Sequence, residues 1–199
     1  MNKLLILYPP EFQSFSKFER KVSNIASNLT EFSVIYPSDK NEFIETFFSA
    51  KGEISIKKTS DWQCEDITHA IIFDDGEIFN AEVDFIKSKE IPMRIIKINI
   101  TRVVNIKKEI KYSSLRRTDE YEYIGRGSYW GNPYSMFSGD SREEVIRKFK
   151  YDFDFEKFPN KEKSEVFKLA GKRLGCFCKP EACHGDILAD FLNKWDDGK

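Results

Sequence analysis

The chain lacks several features, and each absence removes a class of protein. No apolar run among its 199 residues approaches the roughly 20 that a membrane-crossing helix needs. The opening, MNKLLILYPPEF, is apolar only briefly before two prolines and a glutamate. That pattern is a buried strand rather than a signal peptide. Secretion and membrane insertion are therefore not expected, and the expected compartment is the cytoplasm. Charge of one sign is not in excess: 32 Lys and Arg stand against 33 Asp and Glu, for a net of -1. A globally basic surface for nucleic acid is excluded, although a local patch is not. No internal repeat or low-complexity segment is visible. The first strand-to-helix loop, YPPEFQSF, has no glycine, so it is not a Gly-rich phosphate cradle of the familiar kinds. No C-x-x-C is present, which removes the common zinc fingers and ribbons.

What is present is enough for a packed core. Hydrophobic residues make up 40% and charged residues 33%, and the length suits one large or two small domains. The first hundred residues alternate strand and helix signals. Leu4 to Tyr8, Phe32 to Tyr36, Ile54 to Ile56, His69 to Phe73 and Met93 to Ile100 read as strands. Phe15, Phe18, Val22, Ile25 and Leu29 form a helical stripe, as do Phe43, Ile44, Phe47 and Phe48; Ala81 to Lys89 is a short helix. Continuous apolar strands alternating with helices imply a parallel sheet covered on both faces. The expected fold is α/β: a small Rossmann-like domain over residues 1–100, followed by a second small α/β domain over 101–199.

In the second half, Arg102 to Ile106 reads as an entry strand. A polar, basic loop over 107–120 and a Gly-, Ser-, Asn- and Pro-rich stretch to Asp140 follow, the latter mostly loop. Ser141 and Glu144 form a capping box ahead of a helix carrying Val145, Ile146 and Phe149. Ser164 to Lys172 predicts another helix, Leu174 to Cys178 a strand, and Asp186 to Trp195 a last amphipathic helix.

Three stretches carry chemistry. In CFCKPEACH, Cys176 and Cys178 lie two apart on a strand and project to one face. Pro180 turns the chain so that Cys183 and His184 can fold back beside them. Three thiols and an imidazole make a candidate zinc shell; the competing readings are core thiols and a reactive thiol. The reactive reading places Cys183 and His184 at a helix start with Asp186 in its first turn, a setting that favours a thiolate. In GRGSYWGNP, Gly125, Gly127 and Gly131 allow close approach to a ligand, and Arg126 offers a planar fork for phosphate or carboxylate. Tyr129 and Trp130 offer flat faces, and Asn132 a paired donor and acceptor. The plainer alternative is a tight loop whose tryptophan plugs the core. Asp74-Asp75-Gly76 ends a central strand, where a ligand-holding acid pair competes with a solvated turn, and the turn is preferred. His69 and Cys64 are isolated and read as structural and incidental.

The segments TRVVNIKK, YIGRGSYWGNPY, SREEVIRKF and LGCFCKPEACHGDIL resemble the family called domain of unknown function 4326, found in bacteria and their phages. The match covers about residues 101–195 and departs from the pattern only in the long loop between Ile106 and Tyr121. The resemblance implies that Arg126, Ser128, Trp130, Asn132, Cys176, Cys178, Cys183, His184 and Asp186 belong to one functional or folding unit. It supplies no reaction. The first half is similar to Rossmann-like nucleotide-binding domains of the SLOG type, including the YspA-like group, on its element order and on THAIIFDDG before a helix. Such domains occur in nucleotide signalling and phage–host conflict. The abundance of Lys, Ile, Phe and Asn is what an AT-rich genome encodes, and a phage source fits.

The expectation is a phage-encoded protein of the host cytoplasm that binds or processes a nucleotide or nucleoside derivative. Arg126, Ser128, Trp130 and Asn132 would bind the ligand. His184, Asp186 and Cys183 would be catalytic, and Cys176, Cys178, Cys183 and His184 would hold zinc. The rival is a non-catalytic binding module, a ligand sponge or protein inhibitor, with a structural Cys/His cluster. A nucleic-acid partner ranks below both, because acidic residues interleave or follow the basic ones between Arg102 and Arg117.

Overall fold

The computed structural model describes residues 1–52 and 54–199. Its contacts divide the chain into two units, one of Met1–Ile98 with Lys194–Lys199 and one of Asn99–Asn193. Both are α/β, and the first is a Rossmann-like parallel sheet.

In the first unit, β1 (Asn2–Leu7), β2 (Phe32–Tyr36), β3 (Ile56–Lys58), β4 (His69–Asp74) and β5 (Met93–Lys97) form one sheet. Its order is β3-β2-β1-β4-β5, and every pair is parallel. The apolar runs predicted the two inner neighbours well: Leu4 to Leu7 and Ala70 to Phe73 are all buried, because both faces are covered. On one face Leu5, Leu7, Ile35, Ala70 and Ile72 pack with Val83 and Ile86 of α3 (Asn80–Ser88). On the other, Phe18 of α1 (Phe15–Ala26) stacks on Phe73 at 5.4 Å and meets Phe47 of α2 (Phe43–Ser49) at 6.1 Å. Each such fully buried side chain contributes about 1.5–3 kcal/mol. The glycine-free loop after β1 turns on a Phe12 N–H to Pro9 carbonyl bond of 2.9 Å and seats Phe12 on Phe73 at 4.9 Å. An aromatic ring thus lies near the carboxyl end of β4, on the edge where open α/β sheets usually take ligands. The Tyr8 hydroxyl donates to Asp39, whose carboxylate also accepts from the N–H groups of Ile44 (3.1 Å) and Glu45 (2.9 Å) and so caps α2. Burial, then this bond, pushes the Tyr8 phenol up. The C-terminal residues tie back onto α1 through Lys17–Asp197 and Arg20–Asp196, both 2.7 Å.

In the second unit, β6 (Arg102–Asn105), β7 (Tyr121–Tyr123) and β8 (Arg173–Cys176) form a parallel sheet of order β6-β8-β7. α4 (Arg142–Asp154) and α5 (His184–Lys194) cover one face, where Phe149, Phe153, Leu188 and Leu192 pack with Ile124, Leu174 and Cys176. Asn193 fixes the start of β6: its side-chain oxygen accepts from the Thr101 N–H at 2.8 Å and its amide donates to the Thr101 carbonyl at 3.0 Å. The capping box forms as expected on its first arm, with Ser141 Oγ accepting from the Glu144 N–H at 3.2 Å.

Several elements differ from expectation: β3 lies at Ile56–Lys58 rather than 54–56, and β8 ends at Cys176 rather than Cys178. β7 lies within a stretch read as mostly loop, because three residues are too few to show a period. The basic loop contains a 3-10 turn, Ile110–Tyr112, whose Tyr112 ring stacks on Tyr121 at 4.6 Å and covers the outer sheet face. The helix expected over 164–172 is a 3-10 helix, Lys163–Leu169. Its buried residues, Val166 and Leu169, lie three apart, and a three-residue repeat stacks them on one face.

Candidate functional site

The carboxyl end of β8 and the amino end of α5 meet the Gly-rich loop around one pocket of the second unit. Cys176 ends β8, and the chain turns through Phe177–Ala182, with a cis Lys179–Pro180 bond, before Cys183 leads into α5. Asp186 closes that helix start: its carboxylate accepts from the Cys183 N–H at 2.9 Å and pairs with Lys179 at 2.5 Å. Gly185 lets α5 approach the sheet, since a β-carbon there would come within 2.4 Å of Ile124 Cδ1.

The loop opposite is two consecutive turns. The Ser128 N–H and hydroxyl both reach the Gly125 carbonyl, at 3.1 and 2.7 Å, and the Gly131 N–H reaches the Ser128 carbonyl at 3.1 Å. Gly131 is required by close approach, because a β-carbon would lie 2.6 Å from the Gly125 carbonyl oxygen. Trp130 swings inward and is 3% exposed in the core, edge-on to Phe153 at 6.5 Å. Asn132 spends its amide on the Val145 carbonyl (3.0 Å) and its oxygen on the Tyr134 N–H (2.9 Å).

The resulting pocket has a volume of about 450 Å³. Arg126 and Asn132 line it from the loop side, and Cys176, Cys178, Cys183 and His184 from the other. The two motif stretches therefore share one cavity. Ser128, Trp130 and Asp186 serve the loop turn, the core and the helix cap. Arg126 is exposed, with Nη2 3.2 Å from Ser135 Oγ and its guanidinium 5.7 Å from the Phe137 ring centre.

The three sulfurs lie within 4.8 Å of one another, Cys176 Sγ and Cys178 Sγ being 3.5 Å apart. Tetrahedral zinc thiolates at about 2.3 Å from the metal would sit roughly 3.8 Å apart, so the donor set fits a thiophilic metal. The protons are unevenly held. S–H donation from Cys176, then Cys183, pulls the Cys178 thiol far down, with the Arg142 guanidinium helping. The bond to Cys178 pushes Cys176 up, and the bonds to Cys176 and Cys178 push Cys183 up. His184 borders the trio through Cys183 but does not lie within 4.8 Å of all three sulfurs. Burial lowers its pKa, and its Nε2 donates to the Ile124 carbonyl at 2.9 Å. That leaves Nδ1 as an acceptor, 3.6 Å from Cys183 Sγ.

Arg142, Phe137 and Phe177 also line the pocket, and sequence reading did not single them out. Arg142 opens α4 immediately after its cap and donates to the Ala182 carbonyl at 3.3 Å. A basic residue in a capping box resembles any helix start. Phe137 and Phe177, 95% and 51% exposed, carry the clearer signal: large aromatics in polar loops. Other sequence candidates fall outside. The Asp74 and Asp75 carboxylates accept backbone N–H bonds of their own turn, at 2.9 Å from Gly76 and 3.0 Å from Glu77. Cys64 is exposed. His69 meets Thr68 Oγ1 at 2.9 Å and borders a pocket of about 590 Å³ at the amino ends of β4 and β5. Among the basic-loop residues, Arg117 forms a two-pronged pair with Glu122 and Arg116 lies over Tyr123 at 4.6 Å.

A Rossmann-like parallel sheet followed by an α/β unit with a three-thiol pocket defines the class of protein. The chain belongs to the minimal SLOG domain family, whose model matches residues 1–104, and residues 104–194 match the model of a domain of unknown function, DUF4326. A protein of Enterobacteria phage T4, the uncharacterized 12.4 kDa protein in the nrdA-td intergenic region, is 42% identical over 97 residues. That alignment covers 48% of this chain and 80% of the phage protein. No solved structure matches the chain. Among the described residues, no helix is long and apolar enough to cross a membrane.

Proposed function

We propose that this is a phage-encoded protein of the host cytoplasm whose second unit binds or processes a nucleotide or nucleoside derivative, with zinc held by the thiol cluster beside the ligand. The observation that carries the reading is the composition of the 450 Å³ pocket: two arginines and two exposed phenylalanines face three thiols. Arginine forks suit phosphate, and aromatic faces suit a base. Arg126 and Arg142 would hold the anionic group, Phe137 or Phe177 would flank the ring, and Cys176, Cys178 and Cys183 would hold the metal. The SLOG-type first half and the T4 relative support a nucleotide-related phage role, in keeping with phage–host conflict.

Sequestration without turnover is the second reading, and one observation favours it. The groups first expected to move protons have other partners: Asp186 caps α5 and pairs with Lys179, and His184 donates to the Ile124 carbonyl. Incubating the purified chain with a nucleotide panel, followed by mass spectrometry of the supernatant and of the protein-bound fraction, tests both. A product supports processing, and an unchanged bound nucleotide supports sequestration. The absence of both product and retained nucleotide refutes the proposal.

A further inference from the structure

We infer that the metal site of Cys176, Cys178 and Cys183 takes three ligands from the protein and keeps its fourth position open to the pocket, where an oxygen or nitrogen of the bound ligand, or water, completes the shell. This rests on the zinc reading above and specifies the site's coordination. Sites that serve only to brace a fold close the metal with four protein donors, whereas sites that handle a ligand leave one position free.

The fourth position is open because no neighbouring donor among the described residues reaches it. The sulfurs come from the end of β8, the turn after it and the residue leading into α5, and all three line the cavity. Among the described residues, no other histidine, cysteine or carboxylate places a donor within 4.8 Å of all three. His184, the obvious fourth candidate, follows Cys183 directly in the chain, and successive residues at a helix start point about 100° apart. Its ring is wedged against Phe149 at 4.9 Å, and its Nε2–H is spent on the Ile124 carbonyl. Its Nδ1 lies 3.6 Å from Cys183 Sγ yet not within 4.8 Å of all three sulfurs, so joining their metal would need the ring to shift against Phe149 and the Ile124 carbonyl. Asp186 is held by the Cys183 N–H and Lys179. The open side is the pocket itself, where Arg126 and Arg142 would draw an anionic donor toward the metal.

The test uses the full chain loaded with cobalt(II), whose absorption reports coordination. The expected result is one metal per chain by elemental analysis, thiolate-to-cobalt charge transfer, and visible bands that shift when azide is added as a small exogenous ligand. His184→Gln, which keeps a side-chain N–H able to reach the Ile124 carbonyl, should retain the same stoichiometry, bands and azide response. A metal-bearing protein whose spectrum ignores azide overturns the open position while leaving the zinc reading intact. So does a folded His184→Gln variant that loses its metal or changes its bands. A chain that binds no metal overturns both. Should His184→Gln not fold, the azide titration of the unsubstituted chain decides alone.

Discussion

Replacing Arg126 by alanine separates ligand binding from folding. The side chain is exposed and has two modest contacts, the 3.2 Å bond to Ser135 Oγ and the 5.7 Å approach to Phe137. An exposed cation over a ring is worth about 0.5–1 kcal/mol, and an exposed polar contact adds little. Removing Arg126 should therefore lower Tm by no more than about 4–8 °C, the shift that 1 kcal/mol produces in a domain of this size. Losing a charge-assisted bond to a bound phosphate should cost about 1.5–3 kcal/mol, or roughly 10- to 150-fold in affinity. Trp130→Ala supplies the contrast. Its ring is 3% exposed in the core, so truncation should cost about 3–5 kcal/mol and more than about 12 °C. Scanning calorimetry gives the first quantity, and equilibrium dialysis with the nucleotide retained by the unsubstituted chain gives the second. Arg126→Ala destabilising the protein as severely as Trp130→Ala, or binding the nucleotide undiminished, would refute the reasoning.

Gly131→Ala should destabilise the second unit by about 1–3 kcal/mol in chemical denaturation, because its β-carbon meets a backbone carbonyl that has no rotamer to escape into. Cys178→Ser should lose metal in elemental analysis, whereas Cys64→Ser, at an exposed and isolated position, should keep it. The Asp197 carboxyl is held below its ordinary range by its pair with the buried Lys17 and by the Lys199 N–H, bonds that outweigh burial. A lowered folded-state pKa stabilises above the unfolded-state value and is lost as pH falls through the folded-state one. Asp197→Asn should thus lower the stability of the first unit at neutral pH and flatten its acid-side decline, as read by thermal melts between neutral and acid pH. Limited trypsin digestion should cut first within 107–120, where the lysines and arginines are exposed.

The sheet of the first half was legible because strands buried on both faces write themselves as unbroken apolar runs: Phe32–Tyr36 was read to the residue. Ser141 was legible because a capping box needs particular residues at a particular spacing. β7 was not, since its pairing with β8 is a tertiary event that three residues cannot announce. At the site, Cys176, Cys178 and Cys183 could be grouped from their spacing around Pro180, but not by strand alternation, since β8 ends at Cys176 and Cys178 lies in the turn after it. The direction of neighbouring side chains could not. Trp130 turned inward because the Gly125–Gly131 loop closes on itself. His184 faces the Ile124 carbonyl because Gly185 brings α5 against the sheet, a consequence of depth that spacing along the chain does not encode.

Hydrogen–deuterium exchange of the full chain with and without the nucleotide panel tests the shared pocket most directly. The account predicts that a bound nucleotide slows exchange in 126–137 and 176–184 together, the two stretches that line the cavity. Protection confined to the first unit, or to only one of the two stretches, would contradict it.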